Sequence, residues 1–199
     1  MRYDKDHKEQ TRQRIIETAA FRFREHGIEG EGMKSLMSAA GLTNGAFYNH
    51  FESKEDLTRE AVSAALHERV ERLKYWMDSG AGIEGLIRSY FSTRHRDHPG
   101  KGCPSSALAS EVARHSLAVR EVFTEGVNDF LALSATHWRG LPPAEARSKA
   151  IALYGLMAGT MQVARATHDP AMSDEVLESG LQAALSLAGL VGASPAGEG

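Results

Sequence analysis

At 199 residues the chain can bury a sizeable core, as one large domain or as two modules. Its 42% hydrophobic content includes no run of about eighteen apolar residues, and its net charge of −3 argues against a protein that coats nucleic acid over its whole surface. Cys103 is the only cysteine, which excludes an internal disulfide and a multi-cysteine zinc site. The opening "MRYDKDHKEQTRQR" is charged and lacks the apolar stretch of a secretory signal, so the expected location is cytoplasmic, with no membrane partner.

No segment keeps a period-two alternation, so the expected class is all-α with about nine helices. From about residue 9, Ile15, Ile16, Ala19, Ala20 and Phe23 keep helical spacing up to a stop at Gly27. Met33, Leu36, Met37 and Ala40 fall at i, i+3, i+4 and i+7, a short amphipathic helix closed by Gly41. A third helix begins near Thr43 and ends by Phe51. Ser53 with Asp56 three residues on is a capping-box pattern, and the fourth helix that it opens runs to about Met77.

Beyond "DSGAG", Ile83, Leu86, Ile87, Tyr90 and Phe91 form one stripe, which the loop "RDHPGKG" breaks. Leu108 and Val112 mark a short helix with Pro104 in its first turn. Val119, Val122, Phe123, Val127, Phe130 and Leu131 mark the next. A helix from about Pro143 to Thr167 carries "AIALYGLMAGTMQVA", apolar on most faces, and the last helix spans about Ser173 to Leu190. Residues 193–199 read as a disordered tail. No internal repeat or flexible linker interrupts this order.

The stretch "AGLTNGAFYNHFESKEDL" carries the chemistry. A short helix, a turn on Gly41 and a second short helix make a helix-turn-helix, whose second helix shows polar groups to DNA while its other face packs inward. Phe47 and Phe51, four apart, join Leu42 as the inner anchors. Thr43, Asn44, Gly45, Ala46, Tyr48, Asn49 and His50 are then the exposed set. Asn reads adenine in the major groove, Thr or Ala meets a thymine methyl, and Gly45 lets the backbone approach. Tyr48, His50, Lys54 and Lys34 suit phosphate oxygens, and a charged arm with Arg2, Lys5, Lys8, Arg12 and Arg14 reaches a neighbouring groove or backbone. Residues 1–54 carry nine Lys/Arg against eight Asp/Glu, and residues 55–199 carry 14 against 18. That difference leaves room for a DNA-contacting face without demanding one.

At these residues the chain resembles the TetR family of one-component bacterial regulators: "RIIETAAFRFREHG" and "AAGLTNGAFYNHFESKEDL" are similar to its first helix, recognition helix and helix-four cap. Phe21-Arg22 and Gly32 depart from the family pattern without touching the recognition helix. The resemblance implies a DNA-binding domain over 1–54, joined by helix four to a ligand-binding and dimerisation domain over 55–192. It also implies a homodimer on a palindromic double-stranded operator, most often a repressor, released by a small-molecule effector.

"ALYGLMAGTMQVARATHDPAMSDEVLE" resembles the family's last two helices, which pair into a four-helix dimer interface. Leu153, Gly155, Leu156, Ala158, Gly159, Leu181 and Leu185 are the interface residues expected on that basis. An all-round apolar helix also fits the central core helix of a monomer. For the effector, Trp76, Phe91, Phe123, Phe130, Tyr154, Met157 and Met161, with Tyr90 and Trp138, are candidate pocket residues for an apolar or aromatic ligand, and equally candidate core. Glu111 and Arg114 offer a polar handle or simply face water.

Cys103 falls at or near the start of the helix that Pro104 opens, with Arg94, Arg96 and Lys101 nearby in sequence, an arrangement that favours thiolate. "GC" followed by a short helix resembles a TetR subgroup whose cysteine senses electrophiles or hypohalous acids; an inert buried thiol is the other reading. His95, His98 and Cys103 are too loosely spaced for a metal site, and no cofactor is expected. The alternative function is a thiol-dependent enzyme on Cys103, which lacks an acidic partner to orient a base.

Overall fold

The computed structural model describes the backbone of residues 2–190 and the side chains from residue 7. Arg2 and Lys5 of the expected arm, as side chains, and the expected tail at 193–199 lie outside the described residues. Among the described residues the secondary structure is helical throughout: nine α-helices, three short 3-10 helices and no strand.

The helix α1 spans Arg2–His26. It starts well before residue 9, since "RYDKDHKEQ" contains neither Gly nor Pro to stop it. Ile15, Ile16, Ala19, Ala20 and Phe23 are all buried, as their spacing predicts. The next helix, α2, covers Met33–Ala39. Gly41 ends it at φ +71°, a left-handed conformation that a residue with a Cβ rarely adopts. The Leu42 amide donates to Met37 O at 2.9 Å and the Gly41 amide to Ser38 O at 3.0 Å, the paired bonds of a Schellman cap.

Where an α-helix is expected from Thr43 to Phe51, the chain forms a 3-10 helix over Asn44–Asn49. Its bonds run three residues back, from the Ala46 amide to Thr43 O and from the His50 amide to Phe47 O. The 3-10 coil is a form used in short pieces such as this one. The helix α3, Lys54–Asp78, follows. Ser53 Oγ accepts from the Asp56 amide at 3.1 Å, so the expected cap forms, although Asp56 returns its bond to Glu52 rather than to Ser53.

The remaining α-helices are α4 (Gly82–Tyr90), α5 (Thr93–Asp97), α6 (Pro104–Val112), α7 (Leu117–Ala135), α8 (Pro143–Ala166) and α9 (Pro170–Leu187). The segment expected as the loop "RDHPGKG" contains part of α5 and a 3-10 turn over Pro99–Lys101, pieces too short to show a period in sequence. The last helix starts earlier than Ser173 because Asp169 caps it, accepting from the amides of Ala171 and Met172.

The chain divides into two compact units: residues 1–70 with 98–129, and residues 71–97 with the chain from Phe130 onward. Residues 98–129 therefore pack with the helix-turn-helix, although they were expected with the C-terminal helices. In the first unit Phe23, Leu36, Met37, Phe47, Phe51 and Leu57 share a core with Leu108 and Val112 of α6 and Val119 of α7. In the second, α8 packs on α9, and α4 also meets α9. A Cβ added at Gly180 would lie 2.4 Å from Thr160 Cγ2 and 2.7 Å from the Phe91 ring, so the bare glycine sets how closely α8 and α9 approach.

Candidate nucleic-acid interface

The recognition segment shows two faces. Phe47 and Phe51 are buried, their rings stacked with centroids 5.6 Å apart, and they hold the segment on the first unit's core. Opposite them Thr43, Asn44, Gly45, Tyr48 and Asn49 are exposed, as is Lys34 on α2. Tyr48 is 73% exposed, its ring T-shaped to that of Phe47 with centroids 5.2 Å apart, so the side chain stands largely in water with one aromatic contact to the inner anchor. Lys54 is half-buried at the first residue of α3.

Two expected contacts are qualified. Ala46 is half-buried against the core, so only part of it faces outward. His50 is also half-buried, and its Nδ1 is buried without a hydrogen-bond partner. Burial, then the nearby charges of Lys8 and Arg12, push its pKa below the ordinary value, with Glu9 opposing. A neutral imidazole presents one N–H to a phosphate instead of a cation.

The charged arm is part of α1, and its members differ. Lys8 and Arg14 are exposed. Arg12, expected to reach toward DNA, instead turns inward over Phe51 and pairs with Glu60. Glu31 is buried and ion-paired with Arg22 Nε at 3.0 Å, and Arg22 also donates to Ser35 Oγ at 2.9 Å, which ties α1 to α2. Sequence patterning gives no sign of this tie, because residue spacing along one helix does not show which charge on another helix it meets.

The candidate effector residues, with Cys103 and Glu111, divide between the two units. Trp76, Phe91, Phe130, Tyr154, Met157 and Met161 belong to the second unit, where Phe91, Phe130, Met157 and Met161 are buried and the Phe130 and Tyr154 rings pack at 5.1 Å. Cys103, Glu111 and Phe123 belong to the first. Phe123 packs on the core beneath the helix-turn-helix. Glu111 is not a polar handle: its carboxylate accepts from the amides of Ile28 and Glu29 at 2.8 and 3.1 Å, capping the turn after α1. Arg114 is exposed. Cys103 occupies the N-cap of α6, as Pro104 predicts, but is only 3% exposed.

The expected dimer residues also separate. Leu153 and Leu185 are 1% and 3% exposed, buried inside their own chain, so they cannot form an outer face. Leu156, Ala158, Gly159 and Leu181 are half-buried, and Gly155 is exposed. Added Cβ atoms at Gly155 and Gly159 would meet open space. The outward apolar face is instead marked by Ile151, Val163 and Met172, beside a groove of about 500 Å³ between α8 and α9 lined by Leu156, Thr160 and Val176 among others. Among the described residues no three His, Cys, Asp or Glu side chains gather to hold a metal, and no helix is long and apolar enough to cross a membrane.

The capped helix, its glycine turn and the short outward-facing segment after it define a helix-turn-helix DNA-binding class on an all-α scaffold. Residues 15–61 match the family model described as "Bacterial regulatory proteins, tetR family". A relative, the HTH-type transcriptional repressor KstR2 of Rhodococcus jostii, is 26% identical over 117 residues, which cover 57% of this chain and 54% of that repressor. The chain thus matches little more than half of that relative's length. The crystal structure of reduced Escherichia coli NemR superposes with a TM-score of 0.74 at 23% identity, covering 89% of this chain and 96% of that one. A TetR-family regulator from Cytophaga hutchinsonii gives 0.73 at 25% identity, covering 90% and 95%. Residues 15–61 are thus similar to the DNA-binding module of that family, and the chain shares the all-α fold of these two solved structures. The alternative of a thiol-dependent enzyme finds no support in these comparisons.

Proposed function

We propose that this protein is a cytoplasmic, homodimeric repressor that docks one recognition segment per subunit into a two-fold operator and lets go when a small apolar ligand binds. The observation that carries the reading is the two-faced segment Asn44–Asn49, pinned by Phe47 and Phe51 and presenting Thr43, Asn44, Tyr48 and Asn49 outward. Asn44 and Asn49 suit base edges; Tyr48, His50, Lys34 and Lys54 suit phosphate oxygens. Functionally, residues 1–54 hold the DNA contacts and residues 55–192 the effector and dimer functions.

Two half-sites on one face of a duplex lie ~34 Å apart, so two copies are needed. The face around Ile151, Val163 and Met172 is the support for pairing through α8 and α9, since large apolar side chains half in water gain by meeting a second copy. Release requires the ligand to favour the arrangement that misplaces the recognition segments, and a coupling of ~1–3 kcal/mol is typical. The buried Cys103 favours a bound ligand over direct thiol modification as the releasing event, since attack on a thiol needs access. The test is a gel shift on the operator: replacing both Tyr48 and Lys54 with Ala is expected to weaken binding at least tenfold, and retained wild-type affinity rejects the contact assignment.

A further inference from the structure

Arg12 has its guanidinium carbon 4.9 Å from the centre of the Phe51 ring. Both of its terminal nitrogens lie 3.4 Å from Glu60 Oε2. The other Glu60 oxygen accepts from Arg59 at 2.7 Å, and the same Arg59 nitrogen reaches Asp56 Oδ1 at 3.1 Å. Asp56 in turn accepts from the Glu52 amide and donates its own amide to Ser53 Oγ. Four charges of alternating sign therefore run from α1 along the first turns of α3, to the residues that close the recognition segment.

We propose that Arg12 is a positioning residue: it fixes the plane of Phe51, and through the stacked Phe51 and Phe47 the orientation of Asn44–Asn49, without itself contacting DNA. The inference rests on the DNA-binding reading above. Phe51 and Phe47 form the inner face of the segment, and the Tyr48 ring is T-shaped to that of Phe47. A guanidinium over a ring face is held by the ring quadrupole. Its planar fork also fixes direction in a way that an ammonium does not. Because Glu60 matches its charge, Arg12 offers a phosphate little net attraction, whereas Lys8 and Arg14 on the same helix remain exposed.

The experiment uses the full chain with Arg12→Met and Arg12→Lys. The probes are the strongest duplex that the wild type selects from a randomised inverted-repeat library and a shuffled duplex of equal composition, each titrated across salt. Both variants are expected to lose about three- to tenfold in affinity for the selected duplex, while affinity for the shuffled one and the log–log salt slope keep their wild-type values. A phosphate-contacting arginine gives the opposite pattern: both duplexes weaken alike, the slope falls by about 0.9, and Lys restores binding. That pattern, or unchanged affinity in both variants, overturns the proposal. Melting curves on the same samples separate positioning from folding: lost discrimination in a fully folded variant supports it, and loss that appears only with unfolding overturns it. A wild type that selects no duplex refutes the DNA-binding reading, and the inference with it.

Discussion

The recognition segment and the α8–α9 pair both place apolar side chains on helices, yet only the first has a side that can be assigned from order alone. Between Gly41 and Ser53 two large rings four residues apart must turn inward, and the polar residues between them have nowhere to go but out. In α8, apolar residues occupy most of the circumference, so Leu153 and Met157 turn inward while Ile151 and Val163, of the same chemistry, stand half in water. Amphipathicity assigns a face when the apolar set is narrow and is silent when it is not. The first region is thus fixed locally, the second by what packs against it.

The largest expected effect breaks the local anchor. Phe47→Ala removes a side chain that is 3% exposed and stacked on Phe51, and should cost ~3–5 kcal/mol of stability, read as a lowered denaturation midpoint. A smaller loss, under about 1 kcal/mol, means that the segment does not depend on its inner ring. The second region yields a sharper contrast. Val163→Glu with Met172→Glu puts two carboxylates on the outward face and should weaken dimerisation at least about a hundredfold, seen as monomer in sedimentation, with the fold retained. Leu153→Ala should do the reverse, lowering stability by ~2–5 kcal/mol and leaving the dimer constant near wild type. An exchange of those two outcomes would return Leu153 to the interface.

The same contrast explains what the sequence made legible. The helix order, the Gly41 stop, the Ser53 cap and the Pro104 start are local chemistry, and each falls where its residues place it. The 3-10 geometry of Asn44–Asn49 is not legible, because six residues do not distinguish three from 3.6 residues per turn. Arg12, Glu111 and Glu55 were misread or passed over for another reason. Their partners are Glu60, the Ile28 amide and His115, 48, 83 and 60 residues away in sequence, and a charge on a helix surface looks the same whether it meets water or another element. Leu185 and Leu153 belong with these: their chemistry is plain, their direction is tertiary.

The smallest expected effect tests the far end of the recognition segment's support. Just after Ser53 and Lys54, the Glu55 carboxylate accepts from the Ser116 amide at 3.1 Å and pairs with His115 Nδ1 at 3.0 Å, joining the start of α3 to the turn between α6 and α7. Glu29 and Glu111 line the same cleft, with Arg114. Burial pushes the Glu55 carboxyl up, but the bonds from Ser116 and His115 outweigh it and hold its pKa below the ordinary value. A carboxyl whose folded pKa lies below its unfolded one adds stability that is full above the unfolded value and is lost as pH falls through the folded one. The side chain is 42% exposed, so solvent screening limits the contribution to a few tenths of a kcal/mol. Glu55→Gln should therefore melt slightly below wild type at neutral pH, and the gap should close as the pH drops through the carboxylate range. A gap that stays constant down to acid pH would show that the charge on Glu55 is irrelevant and that shape alone holds the turn.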